Sequence, residues 1–354
     1  MFNSKSYPQL FLLLIFALFL NGCSSLYKTK SETARLLKTE NASKEQLIAE
    51  VNRFARVDSI HAKMDLKFEN NAYADVGLTE KFRTADGDVI VQRPSNIFLR
   101  VQVPLIKSDL AQMTSDGDKF RVAVLQDDAG GKYKKFVLGS NNADYSKLRE
   151  AISQMDLKGG KAIRQNVSAF ANMRPQHFTE ALLVRPTDAE HLYVQSEIAQ
   201  DEVDPSARKK SPTARVLRGY YLLDELAKNA DGDLKVTRRF WFDRVGGIRL
   251  ARQQIFDANG DIESDIVYGS EGNLSDNPDY RNLPLRVEVT RPKEKYKMSL
   301  TYQSPESVTI GKMYNQDVFV LKNSWNLPEV DLDKQAQANR TQKSAAQNAN
   351  VSAQ

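Results

Sequence analysis

Residues 87–104 read GDVIVQRPSNIFLRVQVP, and their two-residue period decides the fold. Val89, Val91 and Arg93 share one side of an alternating strand, so a lone guanidinium points the same way as two valines. A second alternation follows, with Ile97, Leu99, Val101 and Val103 on one side and Phe98, Arg100 and Gln102 on the other. Both runs read as strands with one dry face.

The same pattern extends outward. Upstream, Ser43-Lys44-Glu45-Gln46 is a capping box, and Leu47, Ile48, Val51, Phe54 and Ala55 follow at helical spacing. From Ile60 the period is two: Ala62, Met64, Leu66 and Phe68 alternate with Lys63, Asp65 and Lys67. A strand over 77–84 and a tight turn at Asp86-Gly87 are expected next. Downstream, 109–114 leads to a turn at 115–118, after which Phe120, Val122 and Val124 alternate. A helix is expected over 144–155, and short helix or loop over 170–183, where Pro175 and Pro186 limit regular structure. Residues 200–213, QDEVDPSARKKSPT, read as a charged surface insertion. Strands resume over 216–222, 234–243, 248–256, 262–268, 285–290 and 296–302, linked by Asp231-Gly232, Gly246-Gly247 and Asn259-Gly260. The turns are unevenly spaced, so the pattern is one of hairpins and not of a repeat array.

The fold class is therefore mainly β with a few α-helices: an incomplete antiparallel β-barrel, or half-barrel, with helices lidding its concave face. Such a sheet must either fill its interior with side chains or leave a cavity. The candidate lining residues are Met64, Leu66, Phe68, Val89, Val91, Ile97, Leu99, Val101, Phe120, Val122, Phe240 and Phe242.

Composition narrows the function. The chain has 354 residues, 41% hydrophobic and 27% charged, enough for a large core. Its net charge of +5 is spread along the chain and not massed in a basic footprint, which argues against nucleic-acid partners. The three histidines, His61, His177 and His191, have no metal-ligand spacing, and no G-x-S-x-G elbow or Walker loop occurs. Most aspartates fall in turns, where they serve the local backbone. No catalytic residue and no metal ligand is assigned, and the chain is read as a non-enzyme.

The N-terminus carries an address. Leu10–Leu20, LFLLLIFALFL, follows Lys5 and has the length of a secretory h-region, too short to span a bilayer as a mature helix. It leads into Leu20-Asn21-Gly22-Cys23, which resembles the lipobox of bacterial lipoproteins, with Asn a less usual middle residue. That resemblance implies a signal peptide over 1–22 and a diacylglyceryl group and N-acyl chain on Cys23, a palmitate-type anchor, with no other cofactor. Cys23 is the only cysteine, so no internal disulfide can form. Several acyl chains, at about 0.8 kcal/mol per buried methylene, hold a protein firmly on a membrane. Ser24 stands where an aspartate would favour inner-membrane retention in enteric bacteria, so the expected location is the outer membrane, facing the periplasm. Residues 23–42 read as a lipidated tether, 43–328 as the half-barrel, and 329–354 as a disordered tail rich in Gln, Ala, Asn and Ser.

The order of first helix, strand, GDVIVQRP, FLRV, Pro104 and SDGDKF resembles the LolA/LolB-like group of periplasmic lipoprotein carriers and outer-membrane lipoprotein receptors, most clearly over 43–125. The resemblance implies a helix-lidded half-barrel whose hydrophobic cavity takes the acyl chains of lipoproteins or lipids. In the carrier an arginine before a proline at the end of this strand points inward and holds the lid; Arg93 matches it. On its own residues, Arg93 equally suits the barrel rim, with its methylenes packed and its head in water. The receptor also enters the membrane through an apolar residue on a protruding loop, a role assigned to no residue here. The chain is longer than those proteins, and the alternative reading is an envelope scaffold or sensor that docks protein partners.

Overall fold

Seventeen strands pair into one sheet in the computed structural model, which describes residues 34–73, 78–81, 84–126, 131, 134–143, 175–204, 207–208, 214–229, 231–275, 277 and 280–338. The strands are β1 (Arg35–Leu36), β2 (Ser59–Tyr73), β3 (Leu78–Lys81), β4 (Ala85–Gln92), β5 (Asn96–Gln102), β6 (Asp109–Asp116), β7 (Lys119–Val124) and β8 (Lys135–Ser140). The second half adds β9 (Leu192–Val203), β10 (Arg215–Lys228), β11 (Leu234–Asp243), β12 (Arg249–Phe256), β13 (Ile262–Gly272), β14 (Leu283–Arg291), β15 (Tyr296–Tyr302), β16 (Thr309–Ile310) and β17 (Glu329–Asp331).

Hairpins pair β9 through β15 in succession on one side and β4 through β8 on the other. The long strand β2 joins the halves, with β15 along one edge and β4 along the other. Among the described residues the sheet stays open: β9 pairs only with β10, and β17 only with β8. Register shifts at Glu225/Leu226, Trp241/Phe242 and Ile255/Phe256 mark bulges, which bend and twist a sheet of this length.

The long inner strands bury a face against the helices, as their alternation requires. Val89 and Val91, Ile97 and Leu99, Phe240 and Phe242, and Val287 and Val289 all enter one continuous core. Helix α1 (Lys44–Ala55) packs on that core through Leu47, Val51 and Phe54. Its N-terminus is the expected capping box: the Gln46 amide donates to Ser43 Oγ, and the Ser43 amide donates to Gln46 Oε1. A shorter helix, α2 (Gln176–Leu182), packs near β4, β5 and β14 and buries Phe178 and Ala181.

Four sequence expectations change. Asp86-Gly87 is not a turn but lies within β4, opposite Asp65 and Met64 of β2. Glycine is needed there for close approach, since a Cβ at Gly87 would sit 2.7 Å from Leu66 Cδ1. The turn chemistry holds at Gly117, whose φ of 99° no β-branched residue would accept cheaply. The 200–213 stretch is not wholly an insertion: residues 200–203 belong to β9, the Asp204 amide donates to Ala214 O ahead of β10, and 205–206 and 209–213 lie outside the described residues. The tether also enters the fold, because β1 runs parallel to Val216-Leu217 of β10.

The fourth change is at the C-terminus. Residues 309–331 cross β2, β4 and β6: the Tyr314 amide donates to Gln92 Oε1, the Leu321 amide donates to Thr114 Oγ1, and Phe319 is fully buried. The segment ends as β17, parallel to β8, and 332–338 is helical, with Ser140 Oγ donating to Asp333. The fold thus runs past 328, because a strand edge offers hydrogen bonds that outweigh polar composition. The helix expected over 144–155 and residues 339–354 lie outside the described residues.

Candidate functional site

The geometry centres on how α1 is held. Arg93 follows β4 and donates through Nε to Val57 O at 3.1 Å and through its terminal nitrogen to Ala55 O at 3.1 Å. The same nitrogen donates to Val184 O at 2.7 Å, so one guanidinium ties the C-terminal end of α1 to the segment after α2. A helix terminus leaves carbonyls unpaired, and a cation there satisfies them and suits the helix dipole. Asp58, 3.7 Å from Nε, supplies a partial counter-charge.

A second arginine, not singled out by the sequence, holds the next two residues. Arg238 donates to Arg185 O at 2.8 Å and Pro186 O at 3.1 Å. It is buried beside Glu225, its directly opposed neighbour across β10 and β11. Glu225 also accepts from Arg185 at 2.7 Å, Thr237 Oγ1 at 2.9 Å and Tyr193 Oη at 2.9 Å. Burial pushes the Glu225 carboxyl up, but the Arg238 guanidinium and these donors overcome it and hold it below the usual range. The opposed Glu225–Arg238 register was the available signal; long strands with uncertain ends hid it.

The candidate lining residues converge. Met64, Val89, Val91, Ile97, Leu99, Val101, Phe120, Val122, Phe240 and Phe242 are all buried in the core beneath α1 and α2. Leu66 and Phe68 are half-buried against it, and Phe68 stacks on Tyr296 with centroids 5.2 Å apart. Side chains occupy this face. Among the described residues, one cleft of about 70 Å³ lies at the C-terminal end of α1, lined by Phe54, Arg249, Leu250, Tyr268, Gly269, Glu271 and Pro284. Cys23 lies outside the described residues.

The loop between β5 and β6 presents the opposite picture. Leu105 is 95% exposed and Ile106 is 76% exposed, with positive φ at Leu105 and Lys107 pushing the pair outward. Pro104-Leu105-Ile106-Lys107 falls between the strands expected over 97–103 and 109–114, where the sequence reading assigned no residue a role. Among the described residues no group of His, Cys, Asp or Glu could hold a metal ion, and no helix is long and apolar enough to cross a membrane.

An open antiparallel sheet with helices packed on its apolar face defines the class as an incomplete β-barrel. Similar solved structures include a LolA superfamily protein from Nitrosomonas europaea, at 10% identity over 79% of this chain and 99% of that one, with a TM-score of 0.36. Another is a DUF1329 family protein from Desulfovibrio piger, at 9% identity over 78% and 95%, with a TM-score of 0.39. A third is an outer membrane lipoprotein-sorting protein domain from Vibrio parahaemolyticus, at 10% identity over 77% and 94%, with a TM-score of 0.36. No family profile and no curated protein matches the sequence.

Proposed function

We propose that this chain is a lipid-anchored outer-membrane lipoprotein that binds the acyl chains of lipoproteins or lipids beneath α1 and passes them on within the envelope. The observation that carries the reading is the attachment of α1: a helix with an apolar stripe, laid on the apolar face of an open sheet and secured at its C-terminal end by hydrogen bonds from Arg93. With the interior filled by side chains, binding requires α1 to lift. Exposing Leu47, Val51 and Phe54 costs roughly 5–9 kcal/mol, whereas burying about sixteen methylenes returns roughly 13 kcal/mol, so a long acyl chain is large enough to displace the helix. The lipobox supplies the anchor on Cys23, and the exposed Leu105-Ile106 pair supplies a membrane-facing loop.

The test is mass spectrometry of lipid extracted after mild purification of the chain carrying Cys23→Ser, which cannot be acylated itself. Stoichiometric acyl lipid is expected. Lipid-free protein that also takes up no lipid from vesicles would overturn the proposal. A second reading, a scaffold that docks envelope proteins, is favoured by β9, an edge strand that exposes Leu192, Val194 and Ile198.

A further inference from the structure

Strand β9 forms an edge of the sheet without the features that usually guard one. It runs 12 residues, LYVQSEIAQDEV, and pairs with β10 from Leu192 to Val203 without a bulge. It contains no Lys, Arg or Pro, the residues that keep an edge from pairing with another chain. The opposite edge, β17, is three residues long and runs straight into a helix. Ser196, Glu197, Ile198 and Ala199 are all exposed, so the middle of β9 is open on both faces.

The acidic side chains of β9 are already engaged within the chain. Glu197 accepts from Arg244 Nη1 at 2.6 Å, Asp201 from Arg215 Nε at 3.0 Å and Glu202 from Tyr220 Oη at 2.7 Å. Two of the three carboxylates are thereby neutralised, so the edge offers an approaching strand little repulsion. Its sequence is also self-complementary about Ser196. In an antiparallel pair of two copies centred there, Val194 of each faces Ile198 of the other, on the face turned away from the core where both are exposed. Gln195 faces Glu197, Tyr193 faces Ala199, Leu192 faces Gln200 and Asp201 faces His191. Between 191 and 201 no like charges are opposed. Opposed β-branched pairs stabilise such a ladder, whereas opposed like charges weaken it.

We infer that the protein forms a twofold dimer in which β9 pairs antiparallel with β9 of a second copy about Ser196, joining the two sheets into one. Each copy's bare edge is consumed, so assembly closes at two. The inference does not depend on acyl binding.

The test uses the chain carrying Cys23→Ser, which has no other thiol. Sedimentation equilibrium should show a dimer. Ser196→Lys, an exposed change that sets two lysines face to face, should weaken it by about tenfold or more. An equal mixture of Ser196→Lys and Ser196→Glu chains should recover it, because the axis then holds opposite charges, and the recovery shows both variants to be folded. Ser196→Cys should form an intermolecular disulfide on mild oxidation, since directly opposed Cα atoms lie about 4.5–5.5 Å apart. Ala199→Cys, about 20 Å from its own counterpart in this register, should not. A dimer indifferent to Ser196→Lys, or Ala199→Cys chains that cross-link as readily as Ser196→Cys, would overturn the inference. So would protein that stays monomeric at every concentration, which would leave β9 to a foreign strand.

Discussion

Arg93 and Arg238 grip adjacent residues of one segment from opposite halves of the sheet: Arg93 takes Val184 O, and Arg238 takes Arg185 O and Pro186 O. The two differ in how deeply they are set. Arg238 is buried with Glu225 as a fixed partner, whereas Arg93 keeps about a quarter of its side chain in water and faces the mostly exposed Asp58. Arg93 is the attachment that can release.

Arg93→Leu should therefore free α1 more than it unfolds the protein. Three carbonyls lose their donor but two regain water at the helix end, so the loss in unfolding free energy should be about 1–3 kcal/mol. Hydrogen exchange at the α1 amides should accelerate by about tenfold or more, and lipid release should change with it. Unaltered exchange in α1 would show that the helix is held by its apolar stripe alone.

Glu225→Leu should be far more damaging, costing about 3–5 kcal/mol, because it strands the buried Arg238 charge. The pH dependence has a definite sign. The folded carboxyl titrates below its unfolded value near 4.3, so its contribution is complete above that value and is lost as pH falls through the lower folded one. Urea unfolding from pH 7 downward should show stability declining below about pH 4. In Glu225→Gln that part of the decline should vanish.

Replacing Leu105 and Ile106 together with serine should leave stability within about 0.5 kcal/mol, as expected for exposed side chains. Binding of the chain carrying Cys23→Ser to phospholipid vesicles should weaken by about one to two orders of magnitude, the loss of two aliphatic side chains at an interface. Sedimentation with vesicles reads this directly, and unchanged binding would remove the loop from the membrane-facing role.

Gly87→Ala should destabilise by about 1–2 kcal/mol, since the new methyl meets Leu66. Leu66→Ala in the same chain should recover part of that loss, so the two changes will not be additive in thermal unfolding.

Much of the fold was legible because half-buried antiparallel strands write their faces into the sequence. Met64, Val89, Leu99, Val122 and Phe240 were each placed on the core side by period alone. Failures came where that signal is silent. The exposed edge strand β9 has little to alternate, and β17 is defined by pairing with β8, which no local pattern reports. Gly87 carries a turn-forming dipeptide in a position set by a neighbour's bulk. Arg93 could be flagged as anomalous, but whether its head met water or a helix end depended on α1 and the 184–186 segment arriving from elsewhere. Arg238 needed three-dimensional accounting of donors and acceptors, which sequence spacing does not supply.

The seam between β2 and β15 sets the order in which the molecule can be made. Gln303, just past β15, donates to Asp65 of β2 across 238 positions, so the middle of the sheet closes only when late residues reach early ones. Contacts this distant slow folding. A nascent chain would carry two unjoined half-sheets with bare inner edges, and would need protection from aggregation until its last hairpin arrived.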